Sequence, residues 1–322
     1  MHQPTAKVRR ARGINSAGYR CPRFNLEDGR LAWLKSLRSA GSRVTALALT
    51  SVPRARGAYS DFVPRRVLIS RFEVPVLGLP AELDHLRVVQ LSDIHHGPWL
   101  PIEVVQSIVE HTNKLHPDIV ALTGDYVVNS PRYIDPVADA LGHLRPRIGS
   151  LAVLGNHDWW EGAEEIRNAL SNVGIPLIDN HRCFVTPERQ LVEEATAGLC
   201  IAGVGDAWED HVDFASAFAG VPDHMPRMVL SHNPDCAEDV HLLRDSHRID
   251  LMLAGHTHGG QVCFPRKKTP MLPAMRKQKY GKGMVMGPSC PVFISRGIGT
   301  AGVPVRMGAP PEIAVFTLRV SK

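Results

Sequence analysis

No stretch of this 322-residue chain approaches the ~18 uninterrupted apolar residues that a transmembrane helix needs. Its six cysteines never stand as C-x-x-C. The first lack removes any predicted membrane span. The second removes support for a zinc finger or a dithiol redox centre, and leaves Cys21, Cys183, Cys200, Cys236, Cys263 and Cys290 as expected buried free thiols, their even number leaving a disulfide open. No internal repeat is visible, so a solenoid is not expected. Acid is nearly missing from residues 1–60, which hold 12 Lys/Arg against 2 Asp/Glu, a net of +10. The other 262 residues hold 25 against 30, a net of −5, so the basic balance of the whole chain belongs to its first segment. Glycine (27) and proline (25) are plentiful, which suits the shaped loops of an enzyme better than a helical bundle.

Residues 1–60 show no sustained apolar period, and disorder is the first reading. Two sharper readings compete. "LAWLKSLRSAGSR" gathers Leu31, Leu34 and Leu37 near one face among basic residues, as a membrane-surface helix does. "RVTALALTSVPRARGA" is a weak, threonine-interrupted signal-peptide core, so neither a clear signal peptide nor a spanning helix is expected. From residue 66 onward the pattern is that of one folded domain. "RRVLISRFEVPV" alternates like a half-buried strand. Short apolar runs then alternate with helical stretches: "LRVVQL", the helix-like "IEVVQSIVEHTNKL", "DIVAL", a helix near 134–143, "SLAVL" and "EEIRNALSNV". "LCIAGV", "RMVLS" and "DLMLA" come next, with a helix expected before the last, and "PVFIS" and "EIAVFTL" close the chain as strands. Alternation of this kind predicts an α/β fold.

The residues just beyond each apolar run carry the chemistry. "VVQL" leads to Asp93 and His95, "IVAL" to Asp125, "LAVL" to Asn156, His157 and Asp158, "MVL" to His232, and "LMLA" to His256 and His258. In α/β sheets ligands bind beyond the carboxyl ends of strands, so these positions are expected to converge. The alternation of His256-Thr257-His258 at a frayed strand end would send both imidazoles the same way. Seven candidate ligands (Asp93, His95, Asp125, Asn156, His232, His256, His258) exceed one tetrahedral ion and suit two ions sharing a carboxylate. With no thiolate among them, the expected cations are manganese, iron or zinc, manganese first. Singly, an Asp-x-His is more often a turn or a cap, and Asn-His-Asp could cap a helix. All five blocks in this order are hard to obtain by accident.

The five blocks "DIH", "GD", "GNHD", "SH" and "GHTH" resemble the signature of calcineurin-like metallophosphoesterases. The extended stretches "GHTHGGQV" and "SRGIGTAGVPVRMGAPPEI" are similar to the bacterial YkuE/YaeI-type phosphodiesterase subgroup. The resemblance implies a four-layer α/β-β-α sandwich with a dinuclear metal site at one sheet edge. It implies one ion on Asp93, His95, Asp125 and His258, and another on Asp125, Asn156, His232 and His256. It further implies that His157 meets the substrate without binding metal and assists the leaving oxygen, with Asp158 orienting it, and that metal-activated hydroxide cleaves a phosphodiester or pyrophosphate bond. His96 falls outside the Asp-x-His spacing and reads as loop. Members of the subgroup commonly begin with a twin-arginine or anchoring segment, from which the basic residues 1–60 depart.

"GIGTAG" (297–302) fits a dinucleotide fingerprint, but Pro304, Pro310 and Pro311 forbid the required helix, so a loop lining the cleft is expected. Trp159 and Trp160 read equally as an apolar wall for a lipid or a base and as packing. The acid-free basic segment 265–283 reads as a solvated loop or as a landing strip for phosphate groups. The reading is therefore a metal-dependent phosphodiesterase acting on a phosphorylated small molecule or lipid headgroup. An anionic membrane surface is a further expected partner, through residues 1–60 and 265–283, and specific nucleic-acid binding is not expected. The expected placement is cytoplasmic or peripherally membrane-associated. The rivals are a nuclease of the same superfamily and a non-catalytic, metal-stabilised binding protein.

Overall fold

The computed structural model describes residues 67–243, 248–263, 279–288 and 290–321. The readings of residues 1–60, and most of the basic segment 265–283, lie outside the described residues.

Two sheets form the frame. The first runs β1 (Leu68–Leu77), β12 (Glu312–Ser321), β2 (Arg87–Leu91), β3 (Ile119–Thr123), β4 (Gly149–Val153). The second runs β10 (Gly283–Met286), β11 (Pro291–Ile294), β9 (Leu251–Ala254), β8 (Arg227–Leu230), β7 (Leu199–Gly203), β5 (Arg182–Val185), β6 (Leu191–Val192). Within them β2, β3 and β4 are parallel, as are β7, β8, β9 and β11. All the strands that precede ligand candidates therefore point their carboxyl ends the same way within each sheet.

The apolar runs are explained by burial on both faces, which a strand achieves because successive side chains alternate. In the first sheet Val89, Val120, Leu122 and Ala152 face a core shared with α1 (Ile102–Asn113), α2 (Ile134–Gly142) and α3 (Asn156–Asn172). Their neighbours Val88, Ile119, Ala121, Leu151 and Val153 face the second sheet, against Ile201, Met228, Leu230, Leu253 and Phe293. The opposite faces of those strands, with Cys200, Ala202, Val229 and Met252, carry the short α4 (Phe214–Ala217) and its Phe214 and Phe218. The layers are thus helix, sheet, sheet and a thin outer layer, in agreement with the expected sandwich. Of the six cysteines, Cys183, Cys200, Cys236 and Cys290 are buried and Cys263 is partly exposed, with no disulfide among the described residues; Cys21 lies outside them.

The helix expected before β9 is instead a run of 3₁₀ turns, Pro234–Leu243, opened by the Cys236 N–H on the Asn233 carbonyl at 3.3 Å. Apolar spacing over ten residues does not separate a period of 3.6 from one of 3.0. α3 begins eight residues before the stretch that suggested it, because Gly162 (φ 138°) breaks it into a short first piece and a longer second one. The fully buried Gln90 ties the sheets together beneath the site. Its amide donates to Thr123 Oγ1 at 2.8 Å and to the Ala254 carbonyl at 3.0 Å, joining β2, β3 and β9.

Candidate metal centre

Beyond the strand ends the backbone leaves the ordinary regions. Asp93 (φ 49°), His95 (49°), Asp125 (59°), His256 (67°) and His258 (53°) all adopt the left-handed conformation. For residues bearing a Cβ this costs roughly 1–2 kcal/mol each, so surrounding bonds must hold it. They do. Asp93 N–H donates to the Gly124 carbonyl and His95 N–H to the Asp125 carbonyl, both at 2.9 Å. His256 N–H donates to Asp93 Oδ1 at 2.9 Å, and Asp125 N–H to Asp158 Oδ2 at 2.7 Å. The candidate ligands hold one another's backbone. Gly255 permits this, since a Cβ there would fall on Ser92 Oγ and Asp93 Oδ2.

The side chains then converge. Asp93, His95, Asp125 and His258, all buried, bring ligand atoms within 4.8 Å of one another. His95 Nε2 lies 3.0 Å from His258 Nε2 and 3.3 Å from Asp125 Oδ2, and His258 Nε2 lies 3.4 Å from Asp93 Oδ1. On the other side of Asp125, the same Oδ2 is 3.2 Å from His232 Nε2, which is 3.2 Å from His256 Nδ1. Bonds of roughly 2.1 Å to a tetrahedral ion place donor atoms roughly 3.4 Å apart, close to these separations. The donor chemistry fits cations too. Asp93 Oδ2 and Asn156 Oδ1 are buried without a hydrogen-bond partner among the described residues. His232 Nδ1 lies 2.8 Å from the Thr123 carbonyl, which places its proton there and leaves the Nε2 lone pair for a metal.

Six of the seven expected ligands meet here through these distances. Asn156 adjoins them in the chain, after Gly155, where a Cβ would fall on Asp125 Oδ1 and His232 Cε1. The convergence of His256 and His258 is as expected, but its cause is corrected. β9 stops at Ala254, and the two residues reach the site through left-handed backbone, with His258 opening a 3₁₀ turn, not through strand alternation. His96 stays apart, its Nδ1 2.8 Å from the Leu100 carbonyl.

Two roles change. Asp158 was expected to orient His157. It spends both oxygens on backbone donors instead: Asp125 N–H at 2.7 Å, Tyr126 N–H at 2.8 Å and Gly155 N–H at 2.9 Å. Burial and the neighbouring Asp125 push its carboxyl up to about 8 against the pull of these N–H groups, and the three bonds let Asp158 shape the Asp125 turn. His157 reaches Asp125 through its backbone, donating N–H to Oδ1 at 2.8 Å, and meets His95 edge-on at 4.7 Å. Burial, with His95 and His232 beside it, pushes the His157 imidazole down to about 3 against the pull of Asp125. A bound cation would push the same way. Without a cation present, burial holds the ring toward its neutral form.

Burial alone would raise the Asp125 carboxyl, but the neighbouring imidazoles, His232 foremost, outweigh it and hold the group well below its ordinary range. Its charge is thus present at any working pH.

Three residues escaped the sequence reading. Asp206 comes after β7, fully buried, with Oδ1 accepting the Trp208 and Glu209 N–H groups at 2.9 Å and Oδ2 without a partner among the described residues. Trp208 meets His256 edge-on at 4.4 Å. Arg306, buried, places Nη2 3.2 Å from His258 Nδ1 while its guanidinium donates to the Gly299, Arg296 and Ala309 carbonyls. The loop with "GIGTAG" lines the site as expected, its Gly299 N–H on the Asp93 carbonyl at 2.7 Å. Trp159 packs on the helix-side core, whereas Trp160 lies 4.5 Å from the His157 ring.

Comparison with known proteins agrees with this geometry. A family model described as calcineurin-like phosphoesterase matches residues 86–260, just over half of the chain. A "transmembrane protein with metallophosphoesterase domain" from Danio rerio is 32% identical over 289 residues, 86% of this chain and 62% of that protein. This chain thus spans about three fifths of that relative. "Phosphodiesterase YaeI" of Escherichia coli is 30% identical over 237 residues, 72% of this chain and 82% of that one. "Uncharacterized metallophosphoesterase YkuE" of Bacillus subtilis is 28% identical over 245 residues, 75% and 82%.

Proposed function

We propose, from the premise that this chain belongs to the calcineurin-like phosphoesterase family, that residues 66–322 form a phosphodiesterase working with two divalent cations. The observation that carries this reading is the single Asp125 oxygen lying between His95 Nε2 at 3.3 Å and His232 Nε2 at 3.2 Å, the arrangement a bridging ligand needs. Asp93, His95, Asp125 and His258 would hold one cation, and Asp125, Asn156, His232 and His256 the other. When bound, the pair supplies Lewis-acid polarisation of the phosphoryl oxygens and a water acidic enough to attack near neutral pH. An all-N/O donor set without thiolate favours manganese, then iron or zinc.

The protein's own part is orientation and charge. Asp158 and the left-handed turns fix the ligands before substrate arrives, so little reorganisation accompanies reaction. His157, neutral and beside His95, donates its ring N–H to a phosphoryl oxygen and stabilises developing charge. The net of −5 over residues 61–322 disfavours a long polyanion, which argues for a small phosphodiester or lipid headgroup over nucleic acid. No helix among the described residues is long and apolar enough to cross a membrane. We assign residues 1–60 and 265–283 to loose docking on an anionic membrane surface.

The test is a metal-by-substrate screen on chelator-stripped protein, covering aryl mono- and diesters, cyclic nucleotides, nucleotide-sugars and phospholipids. Metal-restored turnover of diesters supports the reading. Absence of metal-restored hydrolysis of any phosphoester ends it.

A further inference from the structure

Two indoles stand at the ends of the ligand row. On one side Trp160 meets the His157 ring at 4.5 Å, tilted by 57°, and His157 meets His95. On the other, Trp208 meets His256 at 4.4 Å and 83°, and His256 meets His232 at 5.0 Å. Since His95 and His232 both face Asp125 Oδ2, the chain of contacts passes from one indole through the centre to the other. The two come from different sheets. Trp160 sits in the first turns of α3, after β4; Trp208 sits in the loop after β7.

Neither indole is placed casually. Trp160 stands two residues after the Asn156-His157-Asp158 block, within the same helix piece. Trp208 is held by its backbone N–H on Asp206 Oδ1 at 2.9 Å, a fully buried carboxylate. Both rings are half-buried, not sealed in the core. Each indole N–H lacks an acceptor among the described residues, although a buried indole N–H ordinarily finds one.

We propose that Trp160 and Trp208 are the walls of two substrate subsites, one for each ester arm of a phosphodiester whose phosphorus sits over Asp125. The inference rests on the phosphoesterase reading and deepens it. Tetrahedral phosphorus sends its two ester oxygens apart, so a diester centred on the row directs one organic group toward each indole. A monoester has one such group and would leave one wall idle. The substrate class is therefore a diester with a flat or apolar group on both oxygens. A nucleobase and an acyl chain both carry that chemistry.

The test keeps one arm constant and varies the other. Full-length metal-loaded protein, Trp160→Ala and Trp208→Ala are assayed on 4-nitrophenyl phosphate and on 4-nitrophenyl diesters whose second arm is methyl, phenyl, hexyl or thymidine. One variant is expected to raise KM on every substrate, through the nitrophenyl arm. The other is expected to raise KM about two- to tenfold, the range of an aromatic contact, only where the second arm is large. Response to phenyl and thymidine alone identifies a planar base as the natural arm; response to hexyl as well identifies an apolar chain. The Phe variant at each position should recover most of the loss. Metal content should match wild type, and stopped-flow quenching of tryptophan fluorescence by the nitrophenyl group before turnover should shrink in Trp160→Phe and Trp208→Phe. Costs that ignore the second arm in both variants, or that vanish in both while wild type turns over, overturn the proposal. Absence of metal-dependent turnover in wild type would instead overturn the underlying phosphoesterase reading.

Discussion

Asp158 accepts the backbone N–H of Asp125 at 2.7 Å and so holds that residue in its left-handed turn. Groups that orient ligands from behind typically govern ~10- to 100-fold in metal affinity. Asp158→Ala leaves three buried N–H donors without an acceptor. It should weaken metal binding by about that factor and lower the unfolding midpoint. Metal titration with a fluorescent chelator as competitor, together with a thermal melt, checks both. Unchanged affinity would remove Asp158 from the site.

His157 tests how charge is handled. A neutral ring donor stabilises the phosphoryl oxygens whatever group departs. His157→Ala should then keep its metals and lose a similar factor, about 100-fold or more, on alkyl and nitrophenyl diesters alike. Parallel kinetics with the two leaving groups decides it. A much larger loss on the alkyl diester would restore the expectation that His157 protonates the leaving oxygen.

Much of this centre was legible because metal-competent side chains stand at the ends of apolar runs, and parallel strands deliver such positions to one edge. Asp206 obeys the same rule, since "LCIAGV" is followed by Gly205-Asp206, but a single acid after a glycine carries no second ligand to mark it. Trp208 and Arg306 had no local signal. Their partners, His256 and His258, are brought to them by loop paths that no periodicity encodes. The reading of His256-Thr257-His258 found the right destination by the wrong route, because alternation applies to strands and these residues lie beyond one. Of the two purposes open to Asn156-His157-Asp158 the cap is seen, since Asp158 Oδ2 accepts the Gly155 N–H at the start of α3, while the buried Asn156 Oδ1 has no hydrogen-bond partner among the described residues.

Asp206 supplies a pH dependence. Burial raises its carboxyl from 3.8 to about 7, with His232 pulling the other way. Between those values the folded chain keeps a proton that the unfolded chain releases, so this group's contribution to stability is full below 3.8 and is lost as pH rises through about 7. Metal-stripped Asp206→Asn should therefore gain on metal-stripped wild type as pH rises across that window. Urea midpoints on either side of it measure the gap. A gap that does not change with pH contradicts the assignment.

The N-terminal segment is tested by removal. β1 begins at Leu68, whose N–H donates to the Pro311 carbonyl at 2.8 Å, so a chain starting at Arg65 should fold and hydrolyse a soluble diester at the wild-type rate. Its sedimentation with anionic vesicles should fall. Failure to fold would show that part of residues 1–60 belongs to the catalytic domain.

The central claim is that Asp125 serves two cations at once, and metal counting tests it most directly. Elemental analysis of the purified, reconstituted chain should find two metals per protein. Asp125→Asn preserves shape but removes the charge that His95 and His232 share, so it should retain at most one metal and lose diester hydrolysis. Two metals per chain with full turnover in Asp125→Asn would contradict the account.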